Sequence, residues 1–165
     1  MAGPSFIQAL QARGGEAAVN EALRNPPVST EQVLHPAKYP NDPPVPVEVP
    51  DLSSTLGTGW SDLDLSDVGE EFLLALLALH LPRSDAARAA AGWDGGRYRA
   101  WSDGSRTAVV LTTRWETPKD ASEFAAAMDR WKQSLPAVVE PQAREVRVLF
   151  GSDATALQEL RLAAG

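Results

Sequence analysis

From Asp67 to Leu81 the apolar positions Val68, Phe72, Leu76 and Leu79 or His80 recur at three-to-four spacing, and Leu73 and Leu77 widen the stripe. That period predicts an amphipathic helix with this stripe in the core, ended by Pro82. Upstream, Phe6, Ile7 and Leu10, then Ala17, Ala18, Val19, Ala22 and Leu23, suit two short helices parted by Gly14-Gly15. Asn25-Pro26-Pro27 stops the second. Ser29, three residues before Gln32, has the spacing of a capping box, which predicts a helix from Thr30 to Leu34, closed by Pro36. From Pro40 to Pro50 proline recurs too often for a central strand, so an extended path over the surface is expected, with Val45, Val47 and Val49 pointing one way. Asp51 to Ser66 reads as turn-rich, with Leu52, Leu56, Trp60, Leu63 and Leu65 as apolar anchors.

Farther on, Ser84 is placed to cap an Ala-rich helix that Gly92 closes. "RYRAW" and "RTAVVLTTRW" are strand-like, and the Asp103-Gly104 pair between them suits a hairpin turn. Thr117 as N-cap, Pro118 at the first helical position and Asp120 three beyond the cap begin a helix with Phe124, Met128, Trp131 and Leu135 on one face, to be laid on the sheet. "EVRVLF" alternates as a strand, and a final helix starts at Ser152 or Asp153. The fold class expected is α+β: a small, mainly antiparallel sheet (hairpin 97–115 plus strand 145–150) backed by helices, with a helical and Pro-rich irregular N-terminal half. Residues 1–50 are expected to form a helical segment and Pro-rich arm, packed on an α+β core over 51–165 to make one compact domain.

Composition narrows the function classes. A net charge of −7 works against sequence-independent nucleic-acid binding, which depends on cations displacing counterions from phosphate. Without cysteine there is no disulfide, thiolate metal site or cysteine nucleophile. The longest apolar run, Phe72 to Leu81, is half of the roughly 20 residues a membrane helix needs, so no transmembrane segment is expected. "MAGPSFIQAL" has no basic leader followed by an apolar stretch. A cytoplasmic place is expected for the chain as it stands, and an extracytoplasmic one if it was cut from a secreted parent.

Candidate chemistry is sparse. His35 and His80 are the only imidazoles, and a metal-dependent hydrolase would have to complete a site on them with Glu31, Glu70 or Glu71. Nothing in the spacing demands it, and a histidine at a helix end has the ordinary role of a cation near the C-terminal dipole. No serine sits in a nucleophile motif. "GWDGGRY" precedes a strand and lacks the helix that would hold phosphate, so it reads as a tight turn under Trp93. No catalytic residue and no cofactor is assigned. Arg97, Arg99 and Trp101 share one strand face, as do Arg106 and Arg114 on the next. With Trp93 nearby, that face could bind an anion or stack an aromatic ligand, although a solvated face of snorkelling arginines is the commoner case. Five tryptophans, if exposed together, would favour a protein interface.

The segment "NPPVSTEQVLHPAKY" resembles uncharacterised bacterial proteins in which a zincin-like metallopeptidase region carrying His-Glu-x-x-His precedes Pro-x-Ser-Thr-Glu-Gln-x-Leu-His-Pro-x-Lys-Tyr. The likeness extends through "PDLSSTLGTGW", "GEEFLLALL", "AAAGWDGGRYRAW" and "TRWETPKDASEFAAAM", over most of residues 3 to 151. It implies a zinc-peptidase ancestor or neighbour, yet this chain contains no His-Glu-x-x-His. No catalytic residue is therefore carried over. What the resemblance implies instead is a non-catalytic accessory or protein-interaction module, either the C-terminal portion of a longer protein or a stand-alone relative, with a protein subunit or adjacent domain as partner.

Overall fold

The computed structural model describes residues 3–165. Seven helices and five strands are found among them, an α+β arrangement. Helix α1 (Gly3–Arg24) is broken where Gly14 leaves helical geometry and Gly15 takes φ 62, so the two expected helices meet at a kink. Helix α2 (Thr30–Leu34) is capped by Ser29, whose Oγ accepts from the Gln32 amide, while Gln32 Oε1 accepts from Val28 N and not from the Ser29 amide of a full box.

The sheet, in the order β1-β2-β3-β5-β4, is antiparallel throughout. Strands β2 (Trp93–Ser102) and β3 (Thr107–Trp115) form the expected hairpin and the middle of the sheet. Its turn is held by Asp103, whose Oδ1 accepts from the amides of Ser105 and Arg106, with Gly104 at φ 91. The "GWDGG" stretch is not the expected turn but the start of β2, with a bulge between Trp93 and Gly95. Strand β5 (Glu145–Gly151) lies beside β3.

Two strands fall where none was expected. In β1 (Ser61–Asp67) every residue is exposed, including Leu63 and Leu65, which therefore anchor nothing. This edge strand is held by its ladder to β2 and by ion pairs of Asp62 with Arg99 and Asp67 with Arg97, so it carries no hydrophobic signature. In β4 (Ala137–Gln142), Pro141 argues against a strand, but β4 is the opposite edge, where a missing donor costs little.

Helices cover both faces. On one, α4 (Glu70–Leu77), α5 (Arg83–Ala90) and α6 (Pro118–Lys132) enclose the larger core, in which Trp115 stacks on Phe124 at 4.6 Å. Helix α6 forms its capping box at Thr117 and Asp120, and Phe124, Met128 and Trp131 are buried. Leu135 lies beyond its end and is exposed. Helix α5 begins at Arg83 with Pro82 as N-cap, so Ser84 sits inside it and caps nothing. On the other face, α3 (Ser53–Leu56), α7 (Ala154–Ala164, capped by Asp153) and the arm build a second core around Trp101, Val110 and Leu149. The arm is extended, with Val47 and Val49 buried, and Val45 N donates to Asp94 O at 2.6 Å. A third, separate cluster of Phe6, Leu10, Ala22 and Tyr39 belongs to α1 and the loop after α2.

Candidate functional site

Glu31, His35 and Lys38 follow one another at helical spacing of four and three along α2 and the turn beyond it, so they look the same way. They face the N-terminus of α4 and the loop after β3. Glu31 is 2% exposed and Glu70 3%. Lys38 Nζ donates to Glu31 Oε1 at 2.6 Å, contacts Glu116 and lies 3.5 Å from Asp42. His35 Nε2 sits 3.0 Å from Glu70 Oε1, whereas Glu70 Oε2 is buried and meets no partner. Beside them, Glu71 N donates to Thr30 Oγ1, so a hydroxyl from α2 caps α4 in place of the missing side chain of Gly69. A Cβ on Gly69 would lie 2.3 Å from that hydroxyl, which is why glycine stands there.

Burial pushes the Glu31 and Glu70 carboxyls above the ordinary range, the first opposed by Lys38 and the second by His35. Two buried carboxylates against one ammonium leave the cluster short of positive charge, with Glu70 carrying the uncompensated share.

Of the metal-ligand candidates, the structure brings Glu31, His35 and Glu70 to one end of α4 and sends His80 past the other. An eight-residue helix of about 12 Å intervenes. His80 stacks on Trp131 at 5.1 Å and its Nδ1 bonds Trp131 O at 2.9 Å. Glu71 contributes its amide to the joint. Among the described residues no three of His, Asp and Glu converge as a metal-holding group, so the combined His35 and His80 site is not assembled. Lys38 and Glu116, which complete the polar cluster, escaped the sequence reading. The one available signal was the helical spacing of 31, 35 and 38.

The arginine and tryptophan candidates divide differently. All five tryptophans are buried, so they form no exposed aromatic patch. Trp93 pairs with Trp115 on the α4–α6 side, opposite to Arg97, Arg99 and Trp101. The bulge before Gly95 shifts the alternation and puts it there. Arg97 is held by Asp67 at 2.7 Å and Arg99 by Asp62 at 2.7 Å and Asp51 at 3.0 Å. Trp101 donates its Nε1–H to Asp51 Oδ1 at 3.0 Å. These side chains lock β1 and the arm to the sheet, and each guanidinium is already paired with carboxylates.

An open feature lies on the α4 side. Of the stripe the period picked out, Val68, Leu73 and Leu77 are buried, joined by Glu70 and Leu74, whereas Leu76 is only partly buried and Phe72 and Leu79 are exposed. Phe72 is 49% exposed and Leu79 70%. Phe72 and Leu76 instead wall a cleft of about 280 Å³ whose lining, Tyr98, Val109, Leu111, Trp131 and Phe150 included, is wholly apolar. Leu79 and Leu135, in the turns after α4 and α6, are also exposed. Such an opening chemically favours aliphatic and aromatic groups and offers nothing to a polar reaction.

The chain belongs to DUF8575, a family described as a domain of unknown function, whose model matches residues 8–161. No curated protein and no solved structure matches it.

Proposed function

We propose that this member of the DUF8575 family is a non-catalytic protein-interaction module, an accessory part of a larger assembly related to the C-terminal region of zincin-like proteins. The observation that carries the reading is the two-sided apolar character of α4. A helix apolar all round belongs in a protein interior, and α4 has one side in the core while exposed Phe72 and partly buried Leu76 wall an apolar cleft and the following Leu79 is exposed. The partner this fits is a helix that presents aliphatic or aromatic anchors at one-turn spacing, the helix-in-groove mode. The buried tryptophans and neutralised arginines speak against the small-ligand reading of the sheet face. The separation of His35 from His80 removes the support for a metal-dependent hydrolase built on both.

The test places a photo-crosslinking residue at position 72 in the full chain, in its native host. The expected result is one protein crosslinked through its own apolar helix, with binding lost in Phe72→Glu and Leu76→Glu variants that keep the wild-type melting temperature. Stoichiometric zinc in the purified protein, lost in both His35→Ala and His80→Ala, would overturn the reading. So would crosslinks that persist unchanged in the two glutamate variants.

A further inference from the structure

We infer that Glu70 is a proton-binding group at a joint between the N-terminal helical unit, residues 3–40, and the sheet domain, and that the joint is tighter with the proton bound. The unit has its own small apolar cluster and is laced internally: Arg13 donates to Tyr39 O and Tyr39 Oη to Asn25 O. Its seam with α4 and the β3–α6 loop is polar instead. It consists of Glu31, His35, Lys38 and Thr30 on one side and Glu70, Glu71 and Glu116 on the other. Units joined by polar contacts move relative to one another more readily than units joined by an apolar core.

Burial of Glu70 outweighs the two groups that favour its ionised form, His35 and Lys38, and Glu71 works with burial. From the unit come His35, at 3.0 Å, and Lys38, which is already engaged by Glu31, Glu116 and Asp42. From α4 itself comes Glu71, a like charge. Glu31 adds a second buried carboxylate across the seam. Glu70 Oε2 is buried and accepts no hydrogen bond while the joint is closed, so ionised Glu70 keeps one of its two oxygens unsatisfied, with His35 on the other. Opening the joint hydrates that oxygen; protonation removes the charge.

A carboxyl raised in the closed state binds its proton more tightly closed than open. The closed state is therefore favoured at low pH, and that advantage fades as pH climbs from the ordinary carboxylate value of 4.5 to the raised one. Across that window opening increases by up to about tenfold per pH unit for one linked proton, then levels off. The inference stands apart from the reading of the apolar cleft, since the seam lies at the N-terminal end of α4.

The experiment is native-state amide hydrogen exchange on the full chain from mildly acidic to mildly alkaline pH, corrected for intrinsic exchange and followed at His35 N and at amides of β2 and β3. Opening at His35 N is expected to rise with pH and plateau, while the strand amides show no such rise. In Glu70→Gln the rise disappears and opening stays at its low-pH level. An unchanged profile in Glu70→Gln, or opening that increases on acidification, would overturn the inference. Should Glu70→Gln fold poorly, carbon NMR of the wild-type Glu70 carboxyl decides: a midpoint above the ordinary glutamate range supports the proton site, and one at or below it refutes it.

Discussion

Gly95→Ala should detach the arm, and its effect can be worked from geometry. Gly95 is in β2, where the arm crosses the sheet, and a Cβ there would lie 2.2 Å from Val45 O and 3.2 Å from Val47 Cγ2. The first contact is with backbone oxygen and cannot be relieved by rotating a side chain, so the arm has to move outward by an ångström or more. The bond from Val45 N to Asp94 O, now 2.6 Å, is then lost, at about 1 kcal/mol. Val47 and Val49 are both buried, and full exposure of one valine costs roughly 1.5–3 kcal/mol. Partial lifting of both, with the lost bond, puts the destabilisation at roughly 2–4 kcal/mol. Urea unfolding measures it, and limited proteolysis between residues 40 and 50 shows where the change lies. Gly104→Ala is the control: with φ 91 but open space around its Cβ, it should cost only about 1 kcal/mol of backbone strain and leave the arm protected. If Gly95→Ala unfolds at the wild-type urea concentration and its arm resists protease equally, the reasoning from close approach is wrong.

Two further outcomes follow from burial and charge. Leu73→Ala should destabilise by about 2–5 kcal/mol, because Leu73 is fully enclosed; its neighbour Phe72→Glu should change stability by no more than about 0.5 kcal/mol, and equal losses in thermal unfolding would refute the assignment of α4's two sides. Asp51 is held down to about 2 by the Ser53 hydroxyl and amide and by Trp101 Nε1. Its contribution is present above 3.8, the ordinary value, and is lost as pH falls through about 2. NMR titration should find that low midpoint, and Asp51→Asn should flatten the acid limb of stability; an unaltered acid limb would show that the turn from the arm into α3 does not depend on this carboxylate.

Local chemistry announces itself wherever one residue type can do one job. Thr117, Pro118 and Asp120 start α6 because cap, ring and carboxylate each satisfy or remove an orphan amide, and Asp103-Gly104 turns the hairpin because few pairs tolerate its dihedrals. The elements that stayed hidden owe their shape to neighbours. Strand β1 is wholly exposed, and β4 contains a proline, so both owe their existence to ladder pairing and ion pairs with the neighbouring strand. The polar cluster was half visible: Glu31, His35 and Glu70 were candidates, while Lys38 and Glu116 join only because residues 78 apart in the chain meet across the seam.

Caps, glycine breaks, the hairpin turn and the α+β class are legible along the chain because they rest on interactions spanning three or four residues. How far round α4 the buried stripe reaches is not, for Phe72 and Leu79 satisfy the period as well as Leu73 and Leu77 do, yet only the latter pair is buried. Nor is the fate of the tryptophans, since one bulged residue moves Trp93 to the face opposite Trp101. Those choices depend on which surfaces the sheet leaves to cover, and they produced the two features that matter most for function: an apolar cleft beside α4 and, at its start, a buried carboxylate with one oxygen unsatisfied.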